Sequence, residues 1–236
     1  YLYDKKKELF AIGYDAEENK LSNAYYDLLA SESRQTSFIA IAKGDVPQKH
    51  WFRLGRSLTL VGDRRVLLSW SGTMFEYLMP LLLMKNYEYT LLDETYNSII
   101  VAQKQYGEQK HVPWGVSESG YYAFDLNLNY QYKAFGIPRI GLKRGLVRDT
   151  VIAPYASVLA LQIAPLEALR NIEYLLQEGM GGTYGLYEAI DYTPDRIPNK
   201  SKSMIVKSYM VHHQGMSLLA LSNCLMDNIL QRRFHA

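Results

Sequence analysis

Two segments dense in Gly, Pro, Tyr and Asn, 111–145 and 179–202, interrupt a chain whose remainder is largely organised in helical apolar periods. That alternation predicts a helical frame carrying long loops, and loops of this length are where function concentrates. Helices are expected at 24–43, 71–84, 92–109, 150–163, 165–178 and 206–227. In the first, Asn23 reads as the cap, Tyr25, Leu28, Leu29, Phe38, Ile39 and Ala42 fall at helical spacing, and Gly44 closes the helix. Pro165 suits a first turn and Gly179 a stop. A short helix follows Pro47, 58–61 and 66–68 form a hairpin around Gly62-Asp63, and the first fifteen residues hold two short strands. The expected fold class is therefore mainly α, with small β-hairpins and long aromatic loops.

At 236 residues and 48% apolar the chain can bury one sizeable core, and no linker or repeat divides it, so residues 1–236 are expected to be a single domain. With 26 basic and 24 acidic residues and only short basic runs, no face for nucleic acid is expected. No apolar stretch approaches the ~20 residues of a spanning helix, so no membrane contact is expected from this segment. The lone Cys224, in an apolar helical run, reads as a buried small hydrophobe. The chain begins without Met or a signal peptide and is expected to be a piece of something longer.

Twenty tyrosines stand against seven phenylalanines, and carboxylates recur among them. Sugar rings stack on Trp and Tyr through their apolar faces and hydrogen-bond carboxylates at their rims, and acetal cleavage uses two carboxyl groups flanking one bond. Glu32 lies on the stripe Tyr25, Leu28, Leu29, Thr36, Ile39, where an unpaired carboxylate is costly unless it faces a cleft; a structural ion pair with an arginine is the alternative. Glu118, between serines and glycines in Trp114-Gly115-Val116-Ser117-Glu118-Ser119-Gly120-Tyr121, can approach a ligand closely. Thr73-Met74-Phe75-Glu76 matches a capping box, which makes Glu76 chiefly structural, although Trp70 beside it could touch a sugar. Glu188 and Asp191, in a loop with Tyr187, are suited to binding hydroxyls. Adjacent His212 and His213 diverge by about 100° on a helix. No third ligand stands at metal spacing, so one of them, with Gln214, is expected to hydrogen-bond sugar and no metal is expected. No phosphate loop, nucleophilic serine elbow or dinucleotide fingerprint is present, and no cofactor is expected.

Five strings, Tyr26-Asp27-Leu28-Leu29-Ala30-Ser31-Glu32, 38–47, Ser69-Trp70-Ser71-Gly72-Thr73-Met74-Phe75-Glu76 through Pro80, 112–119 and His212-His213-Gln214-Gly215-Met216-Ser217, resemble the glycoamylase-like domain of bacterial cyclic β-1,2-glucan synthases. The resemblance runs from Leu2 to His235. It implies an (α/α)-barrel domain of a large multidomain synthase on the cytoplasmic side of the inner membrane, with the other modules of that chain as partners. The expected helices number about seven to nine, fewer than a full toroid needs, so the barrel is expected to be incomplete. The implied activity is cutting linear β-1,2-glucan and joining the new end to the chain's own tail.

Combining residues and resemblance, the expected acting pair is Glu118 as nucleophile and Glu32 as acid/base of a retaining transglycosylase. Asp27, Trp70, Glu76, Trp114, Tyr121, Tyr187, Glu188, Asp191, His212, His213 and Gln214 are expected to bind substrate. An inverting β-1,2-glucanase and a non-catalytic glucan-binding module are the alternatives.

Overall fold

A computed structural model of the chain describes residues 1–198 and 201–236; Asn199 and Lys200, inside the expected loop 179–202, lie outside the described residues. Eight α-helices are described: α1 (Arg34–Ala42), α2 (Lys49–Arg53), α3 (Met74–Leu78), α4 (Leu91–Lys110), α5 (Pro154–Leu159), α6 (Pro165–Gln177), α7 (Val211–Leu225) and α8 (Ile229–Phe234). All six residues of α5 are buried, and it packs against α3, α6 and α7 at the centre of the molecule.

The expectation of a mainly α, (α/α)-barrel chain is overturned. Among the described residues helix accounts for about 39% and strand for 20%, the strands lying in six small antiparallel sheets, two of three strands and four of two. The difference arises where short apolar runs have a strand partner elsewhere. Tyr25–Tyr26 pair with Phe10–Ala11, and Leu28 bridges Gly55, so the helix expected at 24–43 starts only at Arg34. Val151–Ile152 pair with Ile190–Asp191, which in turn pair with Met204–Ile205. The helices expected at 150–163 and 206–227 are therefore shortened to α5 and α7. A buried run of β-branched residues carries no periodicity that separates strand from helix, and the partner decides.

The helix expected at 71–84 is shortened for a local reason. Thr73 caps it in a complete capping box with Glu76, and a 3₁₀ turn over Met79–Leu82 follows. Pro80 has no N–H to give the carbonyl of Glu76 four residues back. That carbonyl accepts instead from the buried Arg34 guanidinium at 3.0 Å. Other expectations hold closely. Helix α4 replaces 92–109 with one residue added at each end, Pro165 opens α6, Gly179 is left-handed at φ 87°, and Leu58–Val61 pair with Arg64–Leu67. Cys224 is exposed rather than buried, because the face of α7 that carries it, with Leu221 and Leu225, points outward.

Candidate active site

Segment 114–118 is mounted on three helices at once. Gln103 of α4 accepts from the Gly115 and Val116 amides at 3.2 and 2.8 Å and donates to the Val116 carbonyl at 2.9 Å. Asn171 of α6 takes the Trp114 amide at 3.0 Å and donates to its carbonyl at 2.7 Å. Tyr155 of α5 donates to the Glu118 carbonyl at 3.0 Å and shares a 2.7 Å hydrogen bond with Ser117 Oγ. Gly115 adopts φ 123°, and a Cβ there would stand 3.2 Å from the Ala153 carbonyl, so the turn requires glycine. The backbone of Glu118 is thus fixed by buried polar contacts while its side chain stays half-buried.

Glu32 is not on a helix but in the turn that precedes α1, with Ser31 Oγ donating to its carboxylate at 3.1 Å. A cleft of about 360 Å³ is lined by Glu32 together with Asp27, Trp70 and Glu76. Trp70 is 59% exposed, a free indole face of the kind on which a sugar stacks. Its carbonyl and that of Ser69 accept from Lys143 and Leu142, which holds the loop in place.

Glu118 shares the field of these acids. Burial pushes its carboxyl above the usual range and the charges of Glu32 and Glu76 push it further, while the Tyr132 hydroxyl and His213 pull it down. Burial likewise raises Glu76, against the pull of the Thr73 and Ser71 amides and the Ser69 hydroxyl, and Glu32 again adds to the rise. Glu118 and Glu76 therefore both feel the charge of Glu32, which comes from a third stretch of sequence. Between acids that repel one another the first proton leaves early and the last leaves late, the condition for one acid and one base to coexist.

Glu76 also meets the requirements of a structural acid. It accepts from Ser69 Oγ at 2.8 Å, the Ser71 amide at 2.9 Å and the Thr73 amide at 3.0 Å. Glu76→Gln keeps the shape but turns one acceptor into a donor facing donors. It is expected to lower stability by about 1 kcal/mol, read as a fall in melting temperature, with turnover still measurable. Loss of turnover at full stability would move Glu76 into the acting pair.

The remaining expected site residues divide. Glu188 and His213, each 1% exposed in the side chain, form a buried pair with Nδ1 of His213 2.9 and 3.0 Å from the two carboxylate oxygens. Glu188 also accepts from the Gly120 amide at 3.0 Å. The ring of His213 stacks on Tyr155 at 3.8 Å, and its Nε2 lies 3.3 Å from the Tyr132 hydroxyl. His212 is exposed, 3.4 Å from the same hydroxyl, and burial pushes its ring below the usual histidine value. Asp191, fully buried, is bound by Arg196 at 2.7 Å and by the Tyr122 and Thr193 amides. Tyr121 lies beneath the Arg196 guanidinium at 4.8 Å. Tyr187 packs by Tyr209, and Gln214 reaches the Leu186 carbonyl. Trp114 is 7% exposed and lines a different cavity, with Lys104, Glu108 and Tyr174.

The structure thus gathers Asp27, Glu32, Trp70 and Glu76 at the cleft, with Glu118 in the same field and Glu188 paired with His213. Asp191 and Tyr121 belong to the Arg196 network. Sequence reasoning missed Tyr132, Tyr155 and Arg34. Tyr132 stood in an aromatic run with nothing to distinguish it from Tyr130, and the roles of all three depend on partners distant in sequence.

The family model described as "Glycoamylase: Putative glucoamylase" matches residues 24–236. The chain belongs to the glycoamylase family. It is 46% identical over all 236 residues to the cyclic beta-(1,2)-glucan synthase NdvB of Rhizobium meliloti (strain 1021), and spans about 8% of that protein's length. Two crystal structures bearing the glucoamylase description share its fold. That from Bacteroides uniformis ATCC 8492 aligns at TM-score 0.69 and 15% identity, covering 99% of this chain and 57% of the other. That from Bacteroides caccae ATCC 43185 aligns at 0.65 and 16%, covering 98% and 57%. The glycoamylase-family match supports a carbohydrate-active domain. Among the described residues no helix is long and apolar enough to cross a membrane.

Proposed function

We propose that this domain acts on β-1,2-glucan as a retaining transglycosylase that closes linear chains into rings, with Glu118 as nucleophile and Glu32 as acid/base. It would do so within a larger synthase whose other modules supply the linear chain, on the cytoplasmic side of a bacterial inner membrane. The observation that carries the reading is a cleft holding Glu32 and Glu76 under an exposed tryptophan, with the charges of both acids raising the half-buried Glu118. The likeness to a cyclic β-1,2-glucan synthase supplies the substrate class.

The division of roles follows from which carboxyl has charge-stabilising donors. Tyr132 and His213 both favour ionised Glu118, whereas the neutral Ser31 hydroxyl is the donor at Glu32. When Glu32 carries the proton its charge no longer raises Glu118, and the pair reaches the state the first step needs. Glu118 attacks the anomeric carbon as Glu32 gives its proton to the departing oxygen. Glu32 then takes the proton of an incoming sugar hydroxyl as that oxygen displaces Glu118. Transfer prevails over hydrolysis when a bound sugar fills the acceptor position and keeps water out.

Linear β-1,2-glucan incubated with the purified domain should yield products one water lighter than linear chains of equal length by mass spectrometry. NMR should show the β-anomer at the new linkage. Linear products released with inverted configuration would make it a glucanase, and unaltered glucan would remove the enzymatic reading.

Trp70→Ala should raise KM roughly fivefold, the equivalent of about 1 kcal/mol of lost stacking, with a smaller change in kcat. Unchanged KM would take Trp70 out of the substrate path.

A further inference from the structure

Residues 143–148 carry Lys143, Arg144 and Arg148 and no acid. A turn draws them together: Gly145 is left-handed at φ 82°, and its carbonyl accepts from the Arg148 amide at 3.3 Å. With Lys133 and Asp149 these three side chains line a cavity of about 160 Å³, whose wall also includes the buried, apolar Phe135 and Leu146. Asp149, the one carboxylate in the lining, is already bound by Lys133 at 2.6 Å and by Arg196 at 2.5 Å. Among the described residues Lys143, Arg144 and Arg148 have no carboxylate partner. Four cations against one carboxylate leave an excess of three positive charges at one small cavity, more than the +2 of the whole chain. Charges of one sign gathered against an apolar wall focus their field, and the complement of such a cavity is a compact oxyanion rather than a polymer.

The same loop is bonded to the wall of the cleft. The Leu142 and Lys143 amides donate to the carbonyls of Ser69 and Trp70 at 3.1 and 2.8 Å, and Ser69 Oγ in turn donates to Glu76 at 2.8 Å. Lys133, on the other side of the cavity, pairs in register with Ser119, the residue after Glu118.

We propose that this cavity is a phosphate site, in which Arg144, Arg148 and Lys143 bind a phosphate group, free or as a sugar ester, and that its occupancy fixes the loop carrying Trp70. The planar forks of two guanidinium groups match the oxygens of one phosphate, and the Lys143 ammonium adds a point charge. A bound dianion removes the mutual repulsion of the three cations. Because the Lys143 backbone holds the Trp70 carbonyl, order gained at Lys143 is passed directly to the tryptophan. The site goes beyond the glucan reading and does not depend on the roles of Glu32 and Glu118.

The test titrates the whole domain with inorganic phosphate and, separately, with glucose 6-phosphate, at an ionic strength held constant with sodium chloride so that screening does not change. Binding is followed by calorimetry and by tryptophan fluorescence. At least one of the two ligands should bind with a dissociation constant below about 1 mM and raise the melting temperature as its concentration rises. Tighter binding of inorganic phosphate would identify free phosphate as the occupant, and tighter binding of glucose 6-phosphate would identify the ester. Arg144 and Arg148 are exposed, so Arg144→Gln and Arg148→Gln are expected to fold. Each should weaken binding about tenfold, and the double variant should abolish it. Saturation should change the fluorescence of wild type and leave that of Trp70→Phe unchanged.

No saturable binding of either ligand, or binding undiminished in the double variant, would overturn the site. An equal fluorescence change in Trp70→Phe, or none in wild type, would overturn its link to the cleft. Failure of the glucan reading would leave all of these titrations as they are.

Discussion

Glu118→Gln and Glu32→Gln should each lower turnover of linear β-1,2-glucan at least about a thousandfold, about 4 kcal/mol of barrier. Gln preserves the volume of each side chain and most of its hydrogen bonding, so glucan binding and melting temperature should change little. The two variants should differ in their pH response. Since the reaction needs Glu118 ionised and burial and neighbouring charges raise its carboxyl, the acid limb of kcat/KM in wild type should lie above the ordinary carboxylate range. Activity is then lost as pH falls through that limb. In Glu32→Gln one of the charges that raises Glu118 is gone, so the limb of the residual activity should move to lower pH. In Glu76→Gln it should move the same way at far higher turnover, because Glu76 also raises Glu118. Wild-type turnover in either Glu32→Gln or Glu118→Gln would dissolve the pair.

The largest loss of stability is expected from Arg34, which is 1% exposed. Among the described residues its guanidinium has no carboxylate partner. It donates to the carbonyls of Ser31, Glu76 and Tyr77 at 2.9, 3.0 and 2.5 Å and to the Tyr96 hydroxyl at 3.0 Å. One buried cation thus ties the Glu32 turn to the end of α3, satisfying carbonyls that Pro80 and the helix terminus leave open. Arg34→Met should cost about 3–5 kcal/mol, because several buried acceptors lose their donors together. Arg34→Lys should recover part of that, since an ammonium cannot span the same fork of acceptors. Urea unfolding should show the fall as a lower midpoint with an unchanged slope. A shift below about 1 kcal/mol for Arg34→Met would mean that water or neighbouring groups replace the guanidinium. Because the same contacts set Glu32 against Glu76, Arg34→Lys should also lower turnover in the folded protein.

What the sequence determined by itself is what depends on neighbours in the chain. Thr73 and Glu76 cap a helix because both ends of the capping box lie within one turn, and Pro165 and Gly179 bound α6 by their own backbone preferences. The hairpin at 58–67 and the long periodic helix α4 were legible for the same reason. So were the family strings around Glu32, Glu76 and Glu118, which carried the resemblance to glucan-cyclising domains.

Tertiary structure decided whatever needed a distant partner. Tyr25–Tyr26, Val151–Ile152 and Met204–Val206 became strands because other segments offered edges to pair with, which turned an expected barrel of long helices into short helices among small sheets. Asp191 became an ion-pair member only when Arg196 folded over it, and Glu188 became the anchor of a buried histidine 25 residues away. Tyr132 acquired significance only by standing against His212 and His213, some 80 residues away. Backbone preference and capping act over a few residues and are written locally. Hydrogen-bond partners and desolvation are properties of a position in space, so the acids' pKa shifts and the groups behind them appear only once the chain is folded.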